Sequence, residues 1–432
     1  VKRLAVFIAL LLLAACAEQE VLLEGERLDL NGNPIPVETA NRAAPLALPP
    51  ARVNAEWTHL GGNVRHQQDH VALRRPLGLA WSVEIGQGNS RKYRLAADPV
   101  VAGGRIFTMD SRARVSAFST AGAALWSVDL TPPEDSESEG SGGGLAIAGG
   151  TLFVTSGFGT LSALDAATGA VRWTHDFHAA ATGAPTVENG VVYAVTANAT
   201  GWAIDARSGR ILWQVVGAAG ERGIAGGGPS PAVAGPLVIF PFSSGQMVAA
   251  VASEGAQTWA ASVAGGRLGR GFSAVTDLTG GPVVSGNTIY AASHAGRAGA
   301  YDATTGSAIW RAEEGSAGQI WLAGRALFMV TDDNRLVRLD AATGETVWAQ
   351  NLPLFTRSRI KRRKATFVHY GPVLAGGRLI VASDDGILRE FDPVSGAFIG
   401  QQALPDGAAR NPVIAGGTLY LVTENGRLNA LR

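Results

Sequence analysis

The chain of 432 residues contains a single cysteine, Cys16. The remainder therefore forms no internal disulfide and no thiolate metal site. Lysine is scarce, confined to Lys2, Lys92, Lys361 and Lys364, and none of these precedes Ser or Thr in a phosphate-loop pattern. Charge of either sign is limited too. Lys and Arg total 36, Asp and Glu total 36, and the formal net charge is zero. That balance offers no basis for nucleic-acid binding. No Gly-x-Ser-x-Gly element occurs. Uninterrupted runs of helix formers are missing, while β-branched and aromatic residues alternate with turns drawn from 56 glycines. Such a composition predicts an all-β globular body.

The one long apolar run, Leu4–Leu13, follows Lys2 and Arg3 and is too short to span a bilayer. It reads as a secretory signal. Leu13-Ala-Ala-Cys16 resembles the bacterial lipobox, in which the cysteine thiol is acylated and becomes the new N-terminus. Ala17 in place of Asp favours sorting to the outer membrane. The expected organisation is a signal peptide over 1–15, a lipidated Cys16 with a flexible tether over 16–52, and a body over 53–432.

Tryptophan organises that body. Trp81, Trp126, Trp173, Trp213, Trp259, Trp310 and Trp348 each end a strand signal, and all but Trp81 lie four residues after a glycine. The text around them repeats, as in Ala163-Leu-Asp-Ala-Ala-Thr-Gly169 before Trp173 and Arg338-Leu-Asp-Ala-Ala-Thr-Gly344 before Trp348. A period of this size denotes an array of supersecondary units. Each copy reads as four strands. Asp165, Asp205, Asp302, Asp340 and Asp392 suit Asx-type turns, and Gly169, Gly209, Gly306, Gly344 and Gly396 suit a positive φ. These aspartates are turn-formers, not catalytic groups. Copies begin near residues 98, 145, 184, 230, 281, 319 and 371, and an eighth begins at Asn411 but stops at Arg432. Trp81 belongs to a strand with no copy before it. The prediction is an eight-bladed β-propeller of four-stranded antiparallel blades, closed by an N-terminal strand. The seventh copy carries Gly400 where the others have tryptophan, so its packing must differ.

Leu-Asp-Ala-x-Thr-Gly-x-x-x-Trp, recurring at matching positions over 81–432, resembles the repeat of pyrroloquinoline-quinone (PQQ) enzymes and their non-catalytic relatives. Glu56-Trp-x-x-x-Gly-Gly-Asn63 is similar to the start of these propellers. With the lipobox, eight repeats and no further domain, the pattern looks most like the BamB family, lipoproteins of the outer-membrane β-barrel assembly (BAM) machine. The resemblance implies a non-enzymatic periplasmic scaffold without a cofactor. It would bind the periplasmic (POTRA) domains of BamA alongside other BAM subunits and assist insertion of unfolded outer-membrane proteins. It also implies contacts from loops in Gly217–Gly228 and Gly265–Gly281. Asp277 matches an acidic contact position whose paired acid is Thr279 here, and Arg222 and Ile224 map loosely onto a hydrophobic–Arg loop.

Two other functions set tests. A quinoprotein dehydrogenase would need PQQ, Ca2+ and a base, and its catalytic members often carry a vicinal cysteine pair that this chain lacks. A glycan-binding propeller would need clustered exposed aromatics, for which Trp57, Trp202 and Trp321 lie outside the blade pattern. His66 and His70 are four apart but sit in no helix and no zinc motif, so no metal site is expected. Gly140–Gly144 adjoins the acidic stretch 134–139 and reads as a solvated loop that repels phosphate. Arg357, Arg359, Lys361, Arg362, Arg363 and Lys364 place six positive charges in eight residues of one loop, a candidate electrostatic contact with an acidic partner or anionic lipid.

Overall fold

The computed structural model describes residues 41–135, 141–181, 183–220, 228–263, 265, 278, 280–316 and 318–432. Cys16 lies outside them. Among the described residues the body forms eight four-stranded antiparallel sheets, the blades of a propeller. Blade 1 shows the template: Val100–Ala102, Arg105–Met109, Arg114–Ser119 and Ala124–Asp129, paired in that order. Blades 2 to 7 repeat it over residues 143–176, 186–216, 232–262, 283–312, 321–351 and 369–403. First strands are largely buried and line the ring axis; six have three residues, whereas Gly143–Ala148 and His369–Ala375 are longer. Fourth strands form the rim and alternate exposed with half-buried positions.

Blade 8 joins strands from the two ends of the propeller body. Val413–Ala415, Thr418–Val422 and Arg427–Leu431 supply three strands, and Leu79–Glu84 supplies the fourth. Trp81 pairs with Ala430 and Glu84 with Arg427. The predicted closure is therefore the one observed, and no blade is left one strand short.

Each tryptophan packs between blades. Trp126 Nε1 donates to Ala166 O at 3.1 Å, and its ring underlies Gly169 of blade 2. Trp81, Trp173, Trp213, Trp259 and Trp310 do the same to Thr120, Ala206, Ala252, Ala303 and Ala341 of the following blade. The turn glycine has two duties here. Gly169 has φ +76°, and a Cβ placed on it would lie 2.7 Å from the Trp126 ring. The aspartate before it closes the turn, with Asp165 Oδ1 accepting from the Ala167 and Thr168 amides at 3.0 Å each. On its own blade the tryptophan meets an aromatic of the second strand in most copies, as Phe107 meets Trp126 and Phe153 meets Trp173, whereas blade 4 has Ile239 at that position. Each indole buries on the order of 150–250 Å2.

Third-strand partners of the tryptophans are Ala117, Ala163, Ala203, Ala249, Ala300 and Ala430, small enough to seat the ring. Blades 6 and 7 depart from this. Arg338 stands opposite Trp348, and Glu390 stands opposite Gly400. Arg338 donates to Ala44 O, Pro393 O and Val394 O through Nη1 and to Pro45 O through Nη2. It thereby takes the carbonyl of Pro393, the blade 7 counterpart of Ala166. Trp348 Nε1 is buried without a hydrogen-bond partner.

Those contacts revise the expected tether. Residues 41–52 do not hang free but lie along blades 6 and 7. Arg42 N donates to Val347 O at 3.1 Å, Ala44 N to Val394 O at 3.2 Å, and Asn41 exchanges side-chain hydrogen bonds with the Ala349 backbone. Ala44, Leu46 and Leu48 pack on the core. The irregular, proline-rich text of this stretch hides the docking, because its partners lie some three hundred residues away.

Candidate partner-binding surface

A propeller leaves one row of backbone groups open, on the axis-facing edge of each first strand. Residues 54–71 occupy that edge around the whole ring. Asn54 O accepts from Gly416 N of blade 8 at 2.8 Å. Trp57 and Val101 of blade 1 exchange backbone hydrogen bonds at 2.8 Å. Thr58 O accepts from Ile147 N of blade 2 at 3.0 Å, and His59 Nε2 accepts from Val187 N of blade 3 at 3.1 Å. Val64 O and Arg65 O accept from Val233 N and Val284 N of blades 4 and 5, both at 2.9 Å. Gln319 of blade 6 reaches His66 O, and Val71 pairs with Leu374 and Gly376 of blade 7. One turn of irregular chain thus visits the blades in order and plugs the axis.

The plug positions two histidines. His59 is held to a pKa of about 4, chiefly by burial. Burial, with His59 nearby, lowers His66 to about 3. Both are therefore neutral at pH 7. Nδ1 of His66 bonds to Pro282 O at 2.9 Å, whereas His70 bonds to Pro49 O and accepts from Gly377 N. The pair spaced four apart in sequence thus serves separate backbone partners. No group of three or more His, Cys, Asp or Glu among the described residues has metal-holding geometry.

Above the plug lies a narrow cavity lined by His59, Leu60, Asp98, Gly144, Ser230 and Arg410. Its volume of about 20 Å3 suits roughly one water and not a three-ring quinone. The Asp98–Arg410 ion pair, at 2.7 Å, and Asn411, which donates to Asp98 at 2.8 Å, close its wall. These residues do not fit PQQ. Nor do the off-pattern tryptophans form a glycan platform. Trp57 and Trp321 stack at 6.2 Å, but both are buried. Trp202 is buried elsewhere, against His175 and Phe177.

The missing tryptophan of blade 7 has a structural cause. The third and fourth strands of blade 8 come from opposite ends of the propeller body, so no Asp–Gly turn joins them and no turn glycine awaits an indole. The chain running from the plug to Leu79 crosses there instead. Arg75 Nε binds Glu390 at 2.8 Å, Arg75 Nη2 donates to Ile399 O at 2.9 Å, and Arg378 Nε binds the other Glu390 oxygen at 2.7 Å. Arg378 also donates to Leu73 O and Arg74 O. A Cβ on Gly400 would strike the Arg75 guanidinium at 2.5 Å. Arg338 and Glu390 were visible as charged residues in an alanine position of the repeat, a signal that aligning the copies exposes.

With the axis plugged, the loops between blades and the rim strands, which expose residues such as Leu125, Val171 and Ile309, face solvent. Among the described residues, the alternating antiparallel order of the strands brings the segments that join each fourth strand to the next first strand to one face. Arg222, Ile224 and Asp277 belong to two of these segments but lie outside the described residues, as does Thr279. The basic loop belongs to a third and is described. Its root is a clamped hairpin: Phe355 bridges Thr366, Thr356 N donates to Ala365 O at 3.0 Å, and Asn334 Nδ2 donates to Pro353 O and Phe367 O. Ile360–Arg362 form a short 3-10 turn at its tip. Arg363 sits 5.0 Å over the Phe355 ring. All six cations are exposed, and among the described residues none is paired with a carboxylate.

The family model described as "Outer membrane protein assembly factor BamB" matches residues 111–350 and 356–432. The assembly factor BamB of Yersinia pestis is 26% identical over 359 residues, covering 81% of this chain and 87% of that protein. BamB of Escherichia coli K12 is 25% identical over 357 residues, covering 82% and 88%. Among solved structures, BamB from Moraxella catarrhalis matches with a TM-score of 0.69 at 21% identity, over 83% of this chain and 100% of that one. The quinohemoprotein alcohol dehydrogenase of Comamonas testosteroni matches with a TM-score of 0.68 at 16% identity, over 88% and 81%, so the fold alone does not separate scaffold from enzyme. The family match extends over most of the chain and coincides with the blade repeat, and the protein belongs to the outer membrane protein assembly factor BamB family.

Proposed function

We propose that this protein is a non-enzymatic scaffold of the outer-membrane assembly machinery. It is lipid-anchored at Cys16 on the periplasmic face and binds the POTRA domains of BamA. The observation that carries the reading is the plugged axis. Residues 54–71 bind the inner strands of the propeller and leave beside His59 a cavity with room for about one water, which favours the interblade loops as the working surface. Family membership supports the same reading, since the relatives are named assembly factors. Arg222, Ile224 and Asp277 are the contact residues proposed for BamA. The lipid at Cys16 and the remaining spacer over 17–40 hold the body at the outer membrane.

The test is co-purification of the BamA periplasmic domains with the full chain. Retention is expected, with at least about a tenfold loss of affinity for Arg222→Glu or Asp277→Arg, as for charged contacts inside an interface. No retention, together with alcohol oxidation on addition of PQQ and Ca2+, overturns the proposal.

A further inference from the structure

The hairpin over 353–368 carries six cations, of which only Arg363 has a described role inside the loop, donating to Ser358 O at 3.2 Å and lying over Phe355. Arg357, Arg359, Lys361, Arg362, Arg363 and Lys364 are exposed, and none is paired with a carboxylate among the described residues. Such a tip is costly to leave idle, because like charges in a short loop repel one another. Rigidity at the root keeps it extended. His369 Nε2 and Asn334 both bond Pro353 O, and Asp384 accepts from Val368 N at 3.0 Å.

Two observations identify what the tip meets. The first is its apolar company. Phe355 and Val368, 37% and 46% exposed, flank the basic residues, and Arg363 lies over the Phe355 ring. Cations beside exposed aromatic and aliphatic groups suit the headgroup boundary of a membrane. The second is the course of the chain. The described body begins at Asn41, which is bonded to Ala349 on the fourth strand of blade 6, Thr346–Asn351. That strand leads directly into the basic hairpin. A lipid carried N-terminal of Asn41 thus tethers the body by the same blade that bears the charge. Residues 17–40 reach at most about 80 Å when extended, so the tether alone leaves orientation free. A weak electrostatic contact becomes effective under such tethering, since it acts at a high local concentration.

We propose that the basic hairpin binds the anionic phospholipid surface and turns the blade 6 edge of the propeller toward the membrane. The inference rests on the lipid-anchored reading for its biological setting, while the contact itself requires no acylation. Guanidinium and ammonium groups bind lipid phosphate oxygens, and Phe355 enters the headgroup layer beside them.

The experiment is sedimentation of the full chain, with Cys16→Ser to remove acylation, on vesicles of phosphatidylcholine alone or mixed with phosphatidylglycerol. Any contribution from the apolar N-terminal run is common to all arms. Binding above the phosphatidylcholine level is expected with phosphatidylglycerol, declining as salt rises and the Debye length shortens to about 8 Å at physiological strength. Arg359→Gln with Lys361→Gln and Arg362→Gln is expected to lower the partition coefficient about a hundredfold, at roughly fivefold per charge. Lys361→Arg is expected to bind as wild type does. An unchanged urea midpoint for the triple variant shows that folding is intact. Equal binding to both vesicle types, or full binding by the triple variant, overturns the proposal. So does capture of soluble polyglutamate without binding to phosphatidylglycerol, which assigns the tip to an acidic protein. Failure of BamA retention leaves the vesicle result unaffected, so the two readings fail separately.

Discussion

Gly209 of blade 3 lies over the indole of Trp173 in blade 2, so that a Cβ on the glycine would stand 2.7 Å from the ring. This contact explains why glycine and tryptophan recur together. They are neighbours in sequence within a blade but meet in space across the junction between blades, each glycine covering the tryptophan of the copy before it.

Gly209→Ala is expected to destabilise more than Gly190→Ala. Both glycines have positive φ, +71° and +79°, but Gly190 has no atom within 4 Å of its Cβ direction. Alanine at 190 pays only the left-handed backbone cost of about 1–2 kcal/mol. At 209 an overpacking cost of about 1–3 kcal/mol is added. Urea midpoints of the two variants give the comparison, and equal losses contradict the packing account.

Trp310 and Trp348 separate the hydrogen bond from the packing. Trp310 Nε1 donates to Ala341 O at 2.9 Å, whereas Trp348 Nε1 is buried without a partner. Phenylalanine removes a bond at 310 and an unsatisfied donor at 348. Trp348→Phe is expected to cost about 1–3 kcal/mol less than Trp310→Phe. Denaturant titration of both variants measures the difference.

Glu390 holds two arginines, one of them the buried Arg378. Glu390→Ala strands that guanidinium and is expected to cost about 3–5 kcal/mol. Arg75→Ala leaves the Arg378–Glu390 pair intact and removes a half-exposed partner, so its expected cost is about 1 kcal/mol. A ranking in the opposite order, read from unfolding curves, rules out the assignment.

Acid and alkali should act on different parts of the ring. His59 and His66 titrate at about 4 and about 3 in the fold, owing chiefly to burial, against 6.5 when unfolded. Their contribution is full above pH 6.5 and is lost as pH falls toward 4, of order 3 kcal/mol for His59. Asp384 shifts the other way, up to about 6, through burial and then through Glu424 and Asp385. An acid raised in this manner costs stability above pH 6 and nothing below its unfolded value. Asp384→Asn is therefore expected to stabilise by roughly 1–2 kcal/mol at pH 8 and not at pH 3.5. His59→Gln is expected to flatten the loss between pH 6.5 and 4. Unfolding midpoints across that range check both signs.

How much of this was readable from the sequence depended on repetition. One packing problem recurs at each junction, and its solution, a turn aspartate, a bare glycine and a wide ring, is written into nearly every copy. Trp81 without a copy and Asn411 without a tryptophan disclosed the closing strand for the same reason. The plug over 54–71 was invisible because it has no period, and its partners run from Val101 to Gly416. Gly400 announced an exception but not its remedy, since Arg75 lies more than three hundred residues earlier. Arg222, Ile224 and Asp277 came from resemblance alone, with no repeat to corroborate them.

Closure of blade 8 by Leu79–Glu84 also sets an order of events. Made from its N-terminal end, the chain produces that strand early, yet Arg427–Leu431, its partner, follows more than three hundred residues later. For nearly the whole interval the strand and the plug ahead of it wait without their final contacts. Such a long wait favours slow completion and a period of vulnerability to aggregation or proteolysis, whatever the stability of the finished ring.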